Sequence, residues 1–182
     1  MSIEIKTRVV EVPQGTSISV EHNKLLAKGP IGEVTRDLPK YINIKIMGNK
    51  VEISAKSVNS ATRALVGTYE SHIKNMLKGV QTPYIYKLKI CATHFPMTAT
   101  VSGSEFSVTN FLGEKRPRKV SIPKNVIVKV SGEIVTVESV DLELAGMTAT
   151  RVEQATHVSA KDRRVFQDGI YIIEKQGKPV GV

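Results

Sequence analysis

Between Gln154 and Ile172 the chain sets three cations in four positions, Lys161, Arg163 and Arg164, ahead of Phe166, the pair Asp168-Gly169 and the strand-like run Ile170-Tyr171-Ile172. Guanidinium and ammonium groups at fixed spacing suit a polyanion better than a small substrate, because phosphates repeat along a backbone. Asp-Gly is a turn signal, since Gly takes φ > 0 at little steric cost. A turn at Asp168-Gly169 is therefore expected to hold the cations between β-rich flanks, and Lys175 and Lys178 extend the array. A second cluster, Lys115, Arg116, Arg118 and Lys119 around Pro117, follows Phe111. Four cations around a proline read as a stiff, exposed loop that cannot enter a core. Either cluster alone could be a merely solvated face. Two of them in a chain of net charge +9 point to phosphate contact instead.

No constellation reads as catalytic. Acid–base or nucleophilic chemistry needs convergent groups, and the four histidines, His22, His72, His94 and His157, stand in structural or solvent-facing contexts. Cys91 and His94 could supply two metal ligands, but a structural zinc needs about four and no second pair exists. Lys28-Gly29-Pro30-Ile31-Gly32 is no phosphate-binding loop: its proline lacks a donor and no Lys-Ser/Thr pair opens a helix. No Gly-x-Ser-x-Gly elbow occurs. The expectation is a protein that is not an enzyme, with no cofactor, metal or small-molecule substrate.

The 182 residues allow one large or two small domains. The excess charge is spread: residues 1–82 carry 12 Lys/Arg against 7 Asp/Glu (+5), and residues 83–182 carry 14 against 10 (+4). Folded surfaces, rather than a basic tail, carry the field. Aromatic residues are 5% with no Trp, which argues against a single-strand reader built on stacking platforms and favours recognition of folded RNA by backbone and shape. The single cysteine fits a reducing compartment. With no apolar leader or long apolar run, a soluble, cytoplasmic protein is expected.

An internal duplication organises the chain. Leu38-Pro39 matches Ile122-Pro123, Ile44-Lys45-Ile46 matches Val128-Lys129-Val130, and Gly48–Ile53 matches Gly132–Val137, all 84 positions apart. Gly29 and Gly113 keep that spacing, while Ile18-Ser19-Val20 pairs with Phe106-Ser107-Val108 after a four-residue shift. Each copy reads as strands, a hairpin with its turn at Gly48-Asn49 or Ser131-Gly132, then a helix. The first helix has a stripe of Ala61, Leu65, Tyr69, Ile73, Met76, Leu77 and Val80, capped by Asn59 or Ser60 and stopped at Gly79. The second carries Ala145, Ala149, Val152 and Ala155, with Thr148 as its start. The expected fold is α+β: two tandem similar domains, 1–82 and 83–182, each a small, mostly antiparallel sheet packed on one helix.

The C-terminal residues Gln154, Val158, Lys161, Arg164, Phe166, Asp168, Gly169, Ile170, Tyr171, Ile172 and Lys175 keep the spacing of a signature. It resembles that of the large-subunit ribosomal protein number six family, in its archaeal and eukaryotic branch. Asn110–Lys115 and Lys28–Gly32 are also similar to that family. The resemblance implies two duplicated domains and no catalytic residues. It also implies binding of large-subunit rRNA near the sarcin–ricin loop, where translational GTPases dock, mainly through the second domain. On that reading Lys115, Arg116, Arg118, Lys119, Lys161, Arg163, Arg164, Lys175 and Lys178 face RNA in the ribosome, and Asp168 and Gly169 set a turn. Neighbouring large-subunit proteins are the other expected partners, and no membrane is involved. The alternatives are a free-standing RNA-binding translation or RNA-processing factor, or an enzyme acting on RNA or a phosphorylated metabolite.

Overall fold

The structure, a computed structural model, describes residues 7–55, 59–159, 161–162 and 164–180; Arg163 of the expected array lies outside them. The chain divides into two compact units, Met1–Pro83 and Tyr84–Val182. Among the described residues each contains one α-helix and two antiparallel sheets, where the sequence reading expected a single sheet.

In the first unit β1 (Arg8–Glu11), β6 (Lys50–Ala55) and β5 (Ile42–Met47) form one sheet, and β2 (Ser17–Glu21), β3 (Lys24–Lys28) and β4 (Glu33–Asp37) form a meander. Alternation sends Val51, Ile53 and Ala55 inward on β6, and Leu25 and Ala27 inward on β3. They pack with Val66, Ile73, Met76 and Leu77 of α1 (Ser60–Gly79). Asn59 caps that helix reciprocally. Its Oδ1 accepts from the Thr62 amide at 2.8 Å, while its own amide donates to Thr62 Oγ1 at 3.0 Å.

The expected stripe holds only in the last turns of α1. Ala61 is exposed and Leu65 and Tyr69 are half-buried, whereas Thr62 and Val66 are buried. Steps of four residues overshoot a 3.6-residue turn, so a strict 61-65-69-73-77 series winds off any one face.

The second unit repeats this plan. Strands β8 (Thr98–Ser102), β9 (Glu105–Thr109) and β10 (Arg118–Ser121) form the meander. Strands β7 (Tyr84–Cys91), β11 (Val126–Ser131) and β12 (Ile134–Ser139) correspond to β1, β5 and β6. Topology corrects one alignment: β2 answers to β8 and β3 to β9, from Ser17 to Thr98 and from Lys24 to Glu105, 81 positions apart. The pairing of Ile18-Ser19-Val20 with Phe106-Ser107-Val108 had joined a first strand to a second one, because both are short and alternating. The hairpin turn falls at Gly132-Glu133, since Ser131 pairs with Ile134. Helix α2 runs Leu142–Ala155 from an Asp141 cap rather than from Thr148, which is fully buried within it. The half-buried Leu142 and Leu144 complete a face that the small alanines only partly mark.

After α2 the second unit adds a loop and two strands, β13 (Gly169–Lys175) and β14 (Lys178–Pro179). The larger sheet therefore runs β11-β12-β7-β13-β14. The first half of the outer edge of β13, ahead of its pairing with β14, is sealed by the end of α2: the Ile170 amide donates to Thr156 Oγ1 at 2.8 Å and the Ile172 amide to Glu153 Oε1 at 3.2 Å.

The β3–β4 loop closes onto the end of α1, where the Ile31 amide donates to the Val80 carbonyl at 3.2 Å. A Cβ on Gly29 would stand 2.7 Å from that carbonyl oxygen, whereas one on Gly67 in α1 would meet nothing. Gly29→Ala should destabilise the first unit by about 1–3 kcal/mol. Gly67→Ala should stabilise it by about 0.5–1 kcal/mol. Urea unfolding of both variants checks the signs, and equal midpoints would contradict the packing.

Candidate nucleic-acid interface

Asp168 is buried at the entry to β13, and its carboxylate faces the loop that follows β7. Oδ1 accepts from the amides of Thr93 (2.6 Å) and His94 (2.9 Å), and Oδ2 lies 2.6 Å from His94 Nδ1. Burial by itself would raise this carboxyl's pKa; hydrogen bonds from the His94 amide and ring and from the Thr93 amide outweigh it and hold the pKa below the ordinary value. The expected Asp168-Gly169 turn does not form. Gly169 is already paired with Cys91 in the sheet. The physical reason is that Asp168 finds amides across space, so its side chain does not close a local turn. Gly169 is required for close approach: a Cβ there would lie 3.1 Å from the Tyr171 hydroxyl and 3.3 Å from the Thr156 carbonyl.

From this anchor outward the cations take their places. The His94 ring sits 5.0 Å from the Phe166 ring, and Lys161 Nζ stands 4.5 Å over the other aromatic. Arg164 is nine-tenths exposed and braced by Asp162, with Nη2 2.9 Å from Oδ2; that contact raises the guanidinium's pKa and lowers the carboxyl's. Lys175 and Lys178 face each other directly across the β13–β14 hairpin, both exposed. Glu174 is already engaged by Lys87 at 2.9 Å. Like charges directly opposed on a ladder are destabilising.

The second cluster divides. Lys115 and Arg116 are exposed and make no ion pair among the described residues. Lys119 is exposed and meets Glu105 at 2.8 Å. Arg118 departs from the expectation of a solvent-facing cation. Its guanidinium grips Glu114 through Nε (2.8 Å) and Nη2 (2.5 Å). Nη1 donates to the Ala155 carbonyl (2.8 Å), and the group lies 4.2 Å over the buried Phe111 ring. Arg118 thereby fastens β10 to the C-terminal end of α2, where unpaired carbonyls favour a cation. The equivalent junction in the first unit uses the Ile31 amide.

Sequence reasoning missed the bridge between the clusters, the loop Thr93–Pro96. It is held on one side by Asp168 and on the other by Asn110 Nδ2, which donates to the Pro96 carbonyl at 2.8 Å. The only signal there was Cys91-Ala92-Thr93-His94, weighed as a metal pair. Among the described residues no three His, Cys, Asp or Glu side chains converge on a metal site, and no helix is long and apolar enough to cross a membrane.

Two like α+β units, one lengthened by a cationic loop and hairpin, define a duplicated two-domain protein. Residues 12–82 and 95–169 each match the family described as Ribosomal protein L6, and the chain belongs to that family. It is similar to the large ribosomal subunit protein uL6 of Aeropyrum pernix, 44% identical over 169 residues that cover 92% of this chain and 93% of that one. It is likewise 43% identical to the protein of that name from Methanococcus vannielii over 170 residues, 93% of each.

A carboxyl whose pKa falls on folding contributes stability that is present above its unfolded value, about 3.9, and is lost as pH drops through the folded one. Asp168→Asn should therefore lower stability at pH 7 by about 1–3 kcal/mol and remove part of the acid-side decline below about pH 4. Unfolding free energies of both proteins from pH 7 to pH 3 test this; parallel curves would refute the anchor.

Proposed function

We propose that the chain is a structural constituent of the large ribosomal subunit whose second unit anchors on folded rRNA. The site would lie near the sarcin–ricin loop and the docking region of translational GTPases. Lys161, Arg164, Lys175 and Lys178 make one phosphate-facing group, with Arg163 beside them in sequence, and Lys115, Arg116 and Lys119 make the other. Arg118 acts from beneath, as the pin that holds the loop. Neighbouring large-subunit proteins are the remaining partners, and the setting is the cytoplasmic ribosome. The observation that carries this reading is the Lys175–Lys178 pair, two cations held opposite each other with no carboxylate between them. Such an arrangement lowers the stability of the free protein and is relieved by a bound polyanion.

About five neutralised phosphates would give log K a slope of about −3.5 to −4.5 against log salt. The full chain should also stay with large subunits through a high-salt wash; release there would favour a free-standing factor. Lys175→Glu is the sharper test, because its two effects have opposite sign. The hairpin should gain about 0.2–1 kcal/mol from an opposite-charge pair, while affinity for the rRNA fragment falls and the salt slope shrinks by about one. Unchanged binding would remove Lys175 from the contact. Arg164→Glu should weaken binding with no loss of folding, read by titration beside thermal unfolding.

A further inference from the structure

We propose that Phe95 is a stacking platform for one unpaired nucleobase of the bound RNA. The inference rests on the rRNA reading above and adds the chemistry of the group taken between the two cationic clusters. Of the four phenylalanines, Phe106 and Phe111 are buried and Phe166 is half-buried between His94 and Lys161. Phe95 is 44% exposed at the crest of the bridging loop. Its backbone is fixed from both sides, by Asp168 on the amides of Thr93 and His94 and by Asn110 on the Pro96 carbonyl. The following proline further restricts residue 95 to extended conformations.

One edge of the ring rests on the opposite loop, where a Cβ at Gly113 would stand 3.6 Å from its Cε1. Two residues beyond Gly113 is Lys115, and on the other flank the His94 ring leads to Phe166 and Lys161. An exposed apolar ring on a loop whose backbone is hydrogen-bonded on both sides, with cations on its flanks, suits a partner that combines a π-face with adjacent phosphates. A paired helix hides its base faces, whereas a bulged or looped base presents one. The held loop backbone matters here, since a platform whose backbone is ordered in advance loses less entropy on stacking.

The test uses the full chain with a large-subunit rRNA fragment and, as control, a fully paired RNA of the same length. Phe95→Ala should weaken binding to the fragment by about 5- to 150-fold. The salt slope should stay as in wild type, because no phosphate contact is lost, and the paired RNA should bind as before. Phe95→Tyr should restore wild-type affinity. The proposal is overturned if Phe95→Ala binds the fragment as tightly as wild type, or if it loses affinity equally for the paired control. If wild type itself shows no salt-dependent binding to the fragment, the rRNA reading fails first and the stacking contact goes with it.

Discussion

A carboxylate cannot be taken out of water without partners, and Asp168 has been buried with three: two amides and an imidazole from a loop some 75 residues earlier in the chain. That requirement ties the entry of β13 to the loop after β7, and much else hangs from the tie. It positions His94, against which the Phe166 ring rests, and Lys161 in turn stands over Phe166. It also steadies the loop that Asn110 grips from the other cluster. Two groups of cations far apart in sequence are thereby mounted on one support.

The cations themselves fall into three kinds, of which exposed but paired Arg164 and Lys119 are one. Arg118 and Lys87 are consumed by the fold, one pinning a strand to a helix end and the other neutralising Glu174. Lys115, Arg116, Lys175 and Lys178 take part in no ion pair among the described residues. A surface that keeps some of its positive charges unpaired, and even opposes two of them, is less stable than it could be. That penalty makes sense where an external polyanion completes the electrostatics.

Duplication explains why the added loop and hairpin stand on the second unit alone. Both units share a meander, a three-strand core sheet and a helix. Only the second continues beyond its helix, and the continuation carries the loop, β13 and the lysine hairpin. The repeated part supplies stability through buried residues such as Ile53 and Val137, which occupy equivalent strands. The appended part is then free to carry charge.

The first hairpin turn, the α+β class and the family signature were readable from alternation, turn residues and spacing, because those signals are local. Charge and motif together already pointed to RNA. What alternation could not convey was which short strand matched which, where α2 began, or that each half holds two sheets, since these depend on pairing partners distant in the chain. The roles of Asp168 and Arg118 were hidden for the same reason: a carboxylate reads as a turn former, and an arginine as a surface charge, until folding brings amides, carbonyls and a ring within hydrogen-bonding reach. Residue types and their order determined the fold class and the cationic character. Only three-dimensional proximity decided which charges hold the protein together and which are left for a partner, because a side chain's job is set by the groups it meets rather than by its neighbours in sequence.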